Sequence, residues 1–246
     1  MRSKADLHIH TTFSDGVASV PELLEHVATQ TDLKVIAITD HDCIDGAIQA
    51  SRMARQFGIE VIIGEEITTL DGDLLALFIE RPIAPHLSAR ESIQAIHAQG
   101  GLAIAPHPFD RSVASLGQGS LPLAAYDLDA IEGFNAGVYW FERTCNSVAQ
   151  RVAQHLHLPV VGNSDSHSLS TVGRAYTRFE GTSISDLYTA IKTKQISFVG
   201  EYWHMADYFS CWSKSIQQKG LSHFVRWAIA NSGQAQHSGT VRTIRS

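Results

Sequence analysis

Cysteine is scarce in this sequence: three residues in 246, Cys43, Cys145 and Cys211, none near another. They form no CxxC pair and no disulfide framework, which excludes a thiolate zinc site and a stapled secreted scaffold and points to a reducing cytosol. No apolar run approaches the ~20 residues of a membrane span, and the opening MRSKADLHIH lacks the apolar core of a signal peptide. A cytoplasmic protein with no membrane partner is expected. Positive charge is short as well, with a formal net charge of −6. Residues 201–246 hold five cations against two carboxylates, a balance of +3 that leaves residues 1–200 at −9. Long nucleic acid is gripped by many Lys and Arg contacts to phosphate, which so acidic a region supplies poorly. An anionic substrate must then be held locally, by metal or by a few arginines.

What is present is an ordinary globular composition, 44% hydrophobic and 18% charged, enough for one core of barrel size. Short apolar runs alternate with helical patterns. Strands are expected at 5–10, 35–40, 60–69, 73–80, 102–107, 130–135 and 159–165, with a late addition at 197–200. Helices are expected from Ser19 and Pro21, near 45–57, from the capping box Ser88-x-x-Glu91 to Gly100-Gly101, and near 142–156 and 185–194. Such alternation implies a mostly parallel sheet covered by helices; about seven strands suits a barrel, with an open doubly wound sheet as the alternative. Asp71-Gly72 breaks the rhythm. It reads as a tight hairpin that makes strands three and four antiparallel neighbours.

The polar residues then fall at the strand ends. Alternation along strand one puts Asp6, His8 and His10 on one face and Ala5, Leu7 and Ile9 on the other. Strand two ends in Asp40-His41, strand three in Gly64-Glu65-Glu66, strand five in His107, strand six in Asn135, and strand seven in Asn163-Ser164-Asp165-Ser166-His167. A lone histidine is more often a surface or hydrogen-bonded residue than a ligand, and that suits His26, His86, His97, His155 and His157. It does not suit a coincidence repeated at five strand ends, which in an α/β barrel converge on one face. Imidazole and carboxylate without thiolate favour Zn, Mn or Fe, and so many donors imply more than one ion.

The ordered stretches DLHIHTTFSDG, AITDHD, GEEIT, APHP and NSDSH resemble the PHP (polymerase and histidinol phosphatase) family of metal-dependent phosphoesterases, over residues 5 to 200. The resemblance implies a distorted (β/α)7 barrel with two or three divalent ions and hydrolysis of phosphomonoesters by a metal-bridging hydroxide. By position it gives one ion to His8, His10, Glu66 and Asp165, a second to Glu66 and His107, and a third to Asp15, His41 and His167. Glu66 is preferred to Glu65 because the family pattern is Gly-x-Glu. Where many relatives carry a histidine in the following hairpin, this chain has Asp73, and that carboxylate could complete the second site or merely cap its own turn. Asp40 and Asp6 are read as carboxylates that orient imidazole N–H groups, and Arg174 and Arg111 as donors to a free phosphate oxygen or as plain surface charges.

The expected substrate is a small nucleotide, sugar or alcohol phosphate, with short oligonucleotide ends left open. Two rivals remain: an amidohydrolase, which would want a lysine where Glu66 stands, and a PHP module without activity of its own. Residues 1–200 are read as the catalytic barrel, and residues 201–231 as helices packed on the barrel or on a second copy of the chain. Residues 232–246 are read as a disordered tail.

Overall fold

Residues 1–119 and 121–219 are described in a computed structural model of the chain. Its nine strands form one sheet: β1 (Arg2–Asp6), β2 (Val35–Ile38), β3 (Glu60–Thr69), β4 (Gly72–Leu77), β5 (Leu102–Ala105), β6 (Ala130–Asn135), β7 (Val160–Asn163), β8 (Ala175–Glu180) and β9 (Ile196–Gly200). Their order is β7-β6-β5-β4-β3-β2-β1-β8-β9. Strands β1, β2 and β3 run parallel, as do β5, β6 and β7, while β4 is antiparallel to both its neighbours. Strands β1 and β7 come back together at their carboxyl ends. Beyond β1 and β7, His10 N–H donates to Ser166 O at 2.8 Å and Ser166 N–H to His8 O at 3.2 Å, so the carboxyl ends nearly close a seven-strand barrel.

Helices α1 (Val20–Gln30), α2 (Asp45–Met53), α3 (Ala89–His97), α4 (Thr144–Leu156) and α5 (Ile184–Lys192) cover the sheet, and α6 (Met205–Lys219) follows it. Capping boxes start α1 at Ser19-Glu22 and α3 at Ser88-Glu91, satisfying backbone donors that the first turn leaves without partners. The barrel interior is filled by Leu7, Val35, Ile62, Leu75, Leu77 and Ile104 among others. Separate apolar layers lie under α1 and α2, where Ile9, Leu23 and Leu24 meet, and under α3 and α4, where Ile67, Leu74, Ile93 and Ala149 meet.

Three expectations need correction. Residues 5–10 are not one alternating strand: β1 stops at Asp6, Leu7 packs inside the barrel and Ile9 packs outside it. The hairpin closes on Leu70-Asp71, because Gly72 is already paired opposite Thr69. Gly72 is needed there for two reasons: its φ of 131° disfavours a side chain, and a Cβ would lie 2.5 Å from the Leu116 nitrogen. Finally, Ala175–Glu180 was not expected as a strand. It pairs antiparallel with both β1 and β9, which is why β1 begins at Arg2. Helix α6 packs through Tyr208 onto Trp203, Ala136 and Ala175; the expected tail at 232–246 lies outside the described residues. Among those residues no helix is long and apolar enough to cross a membrane.

Candidate metal centre

Glu66 is the hub. It lies in β3 with 1% exposure, and four imidazoles reach it: His107 Nε2 at 3.0 Å, His8 Nε2 at 3.2 Å, His10 Nε2 at 3.3 Å and His41 Nδ1 at 3.5 Å. Asp165, just past β7, stands opposite with its Oδ1 at 3.3 Å from both His8 Nε2 and His10 Nε2. On the outer side Asp15 takes His167 Nε2 at 3.1 Å, His10 Nδ1 at 3.5 Å and His41 Nε2 at 3.9 Å. Glu65 points the other way, accepting from the Ile83 N–H at 2.7 Å. Two of the donors sit on backbone that only a well-supported site tolerates, with φ of 27° at His107 and 51° at Asp165.

These side chains fall into four overlapping groups whose donor atoms converge: His8, His10 and Glu66; His8, His107 and Asp165; Glu66, Asp73 and His107; and His10, Asp15, His41 and His167. The antiparallel register places Asp73 opposite Thr68, on the same face as Glu66, and so brings it into the bowl. The donors fit divalent ions. His10 Nε2 is buried between two carboxylates yet has no hydrogen-bond partner, as a nitrogen does when its lone pair is meant for a metal rather than a proton. With protons in place of metal, the cluster balances its charge internally. Burial opposes charge on His10 and His107, but the surrounding carboxylates outweigh it and raise them to about 10 and about 9. Burial likewise opposes charge on Glu66, Asp15 and Asp165, and the imidazoles more than reverse it, holding all three low.

A second carboxylate, unanticipated from the sequence, organises the floor. Fully buried Glu132 of β6 accepts from His8 Nδ1 at 3.1 Å, the His107 N–H at 2.8 Å, Asn135 Nδ2 at 2.8 Å and Asn163 Nδ2 at 2.8 Å. Asn135 Nδ2 also reaches Asp165 Oδ2 at 3.0 Å. A register shift between Glu132 and Phe134 turns Glu132 and Asn135 toward the same network, which strict alternation would forbid. The signal in the sequence was a glutamate inside an apolar strand, AIEGFN.

The orienting roles expected of Asp40 and Asp6 need correction. Asp40 accepts from Thr11 N–H, Thr11 Oγ1 and Ser14 Oγ, each at 2.7 Å, and so ties down the loop that presents Asp15. Asp6 accepts from the N–H groups of Ser164 and Gly173, fixing the backbone beside Asp165. Both arginines are already paired, Arg111 with Glu142 at 3.0 Å and Arg174 with Asp207 at 3.3 Å. Burial is graded across the centre. His8, His10, Glu66 and His107 are covered, while the side chains of His41 and His167 are 35% and 20% exposed, so the Asp15 side is the open one.

Comparison with known proteins places the chain in a family. Residues 6–118 match the PHP domain and residues 143–196 the PHP-associated domain. The chain belongs to the PHP family of metal-dependent phosphoesterases. It is 40% identical over 157 residues to an uncharacterized protein of Methanocaldococcus jannaschii, covering 59% of this chain and 88% of that one. A 5′-3′ exoribonuclease of Haemophilus influenzae is 48% identical over 69 residues, covering 28% of this chain and 25% of that one. Among solved structures, a two-domain Bacteroides vulgatus protein with a predicted PHP-like metal-dependent phosphoesterase superposes with a TM-score of 0.67 at 18% identity, over 82% of this chain and 65% of that one.

Proposed function

We propose that this PHP protein hydrolyses phosphomonoesters of small nucleotides and the 5′ phosphate ends of short oligonucleotides, in preference to long RNA. The observation that carries the reading is the sharing of Glu66, His8, His10 and His107 between adjoining donor groups. Divalent ions held there supply the positive charge that a phosphoester dianion and an attacking water both require. The chain's own contribution is placement. Glu66 and Asp165 set the spacing between groups, Glu132 locks His8 and the His107 backbone, and Asp40 holds the Asp15 loop at the open edge.

A phosphate arriving from the Asp15 side meets the exposed edge of the donor group formed by His10, Asp15, His41 and His167. Support for nucleotide ends comes from the similarity to the exoribonuclease, and the −9 charge of residues 1–200 disfavours a long polyanion. An amidohydrolase reading loses ground because the bridging position holds a carboxylate. The test is phosphate release from a panel of mononucleotides, sugar phosphates, 5′-phosphorylated dinucleotides and long RNA, with Mn²⁺. Turnover should be fastest on the small esters and abolished by Asp165→Ala; faster cleavage of long RNA, or no phosphate release from any ester, would overturn the reading.

A further inference from the structure

A groove of about 500 Å³ opens beside the metal centre, outside the residues so far discussed. It is lined by Phe13, Asp45, Ile48, Gln49, Arg52 and Met53. Five of these form one face of α2 at helical spacing, and Phe13 closes the end nearest the centre. Its volume lies in the range of small-ligand sites. Both connections to the centre are short. Phe13 stands two residues from Asp15 and lies against Gly46 of α2, and α2 begins four residues after His41, so the groove adjoins the segments that carry both donors.

The lining has a chemical order. Phe13 is 43% exposed, so its ring is open to a ligand. Asp45 at the near end repels a second phosphate but tolerates a neutral hydrogen-bonding group, and Gln49, one helical turn on, offers an amide that both donates and accepts. Arg52 lies at the far end, seven residues from Asp45, which on a helix is about 10 Å. No hydrogen bond or ion pair engages Gln49 or Arg52 among the described residues, in contrast to Arg111 and Arg174. Aromatic face, amide and cation, in that order from a phosphate-binding centre, match the base, its polar edge and the next phosphate of a nucleotide chain.

We propose that this groove is the nucleoside subsite: Phe13 stacks on the base of the nucleotide whose phosphate lies at the metal centre, Gln49 reads the base edge, and Arg52 engages the following phosphate. The assignment rests on the phosphoesterase reading and names the part of the substrate that the centre itself does not touch. Stacking of a base on an aromatic ring is worth roughly 5- to 150-fold in affinity. A cation–phosphate contact adds a further salt-sensitive gain.

Equilibrium binding decides the matter without relying on turnover. Adenosine 5′-monophosphate, ribose 5-phosphate and the 5′-phosphorylated dinucleotide pApA would be titrated by calorimetry into Mn²⁺-loaded protein. We expect at least a tenfold preference for the mononucleotide over ribose 5-phosphate, reduced below threefold in Phe13→Ala and restored in Phe13→Trp. The dinucleotide should bind several-fold tighter than the mononucleotide, with that gain lost in Arg52→Met. A preference under twofold in the wild type, or one that survives Phe13→Ala, overturns the subsite. Tight nucleotide binding with no phosphate released from any ester would instead overturn the phosphoesterase reading and leave the subsite standing.

Discussion

At the scale of single residues, Asp73 is the donor that sets this chain apart from relatives with a histidine in the same hairpin. It is 7% exposed and lies in one group with Glu66 and His107. Burial, reinforced by the negative Glu66, raises its carboxyl well above the ordinary range, so its charged form is disfavoured until a cation offsets that charge. A carboxylate is a harder donor than imidazole, and two carboxylates with one histidine suit Mn²⁺ or Mg²⁺ better than Zn²⁺. We predict Mn²⁺-stimulated activity, one ion readily lost on dialysis, and Zn²⁺ retained more tightly in Asp73→His. Metal analysis that finds full, tight Zn²⁺ occupancy in the wild type, unchanged in Asp73→Ala, would refute this. Most of the donors that cluster here were legible as letters because they fall at or just past the ends of apolar strands, whereas Asp15 lies in a loop and Asp73 at the start of β4. Glu132 was not, since three of its four partners come from three other segments, and neither were the backbone-capping roles of Asp6 and Asp40, which depend on where β1 stops.

At the scale of elements, the loop between β1 and α1 decides whether the Asp15 group forms. Gly16 allows its tight return: a Cβ there would sit 2.5 Å from His10 O and 2.7 Å from Thr11 N, both backbone atoms that cannot step aside. Gly16→Ala must open the loop, at a cost of about 1–3 kcal/mol for overpacking, and carry Asp15 away from His41 and His167. The expected result is a loss of about one ion per chain by metal analysis, at least a tenfold fall in phosphate release, and a melting point only a few degrees lower. Unchanged metal content together with full activity would show that the loop does not position a ligand. The alternating strands and helices were readable because each apolar run is short and bounded by caps or glycines. Strand β8 was overlooked because AYTRFE follows the polar run SHSLSTVGR and carries an arginine; its alternation of buried and half-buried residues becomes obvious only once β1 and β9 flank it.

At the scale of the whole molecule, the cluster links metal content to stability through protons. In the metal-free protein the carboxylates around them, working against burial, raise His10 to about 10 and His107 to about 9, against an unfolded value of about 6.5. A group raised on folding stabilises the native state fully below its unfolded pKa, and that stabilisation drains away as pH climbs through the folded pKa. The metal-free protein should therefore lose stability steadily between pH 7 and pH 9, because folded His10 and His107 still hold protons that the unfolded chain has already released. With metal bound, the same nitrogens are already neutral and the ions supply the balancing charge, so this loss is absent; metal affinity itself also rises with pH because fewer protons must leave. Glu65, which burial pushes up to about 7, faces away from the cluster and titrates alike in both forms. We predict that the gap in melting temperature between Mn²⁺-loaded and chelator-treated protein widens from pH 7 to pH 9, and that calorimetry in buffers of different ionisation enthalpy records proton release on metal binding near pH 7. A gap that stays constant across this window, with no protons released, would mean that the imidazoles are neutral before metal arrives and that the carboxylates do not hold the charge attributed to them.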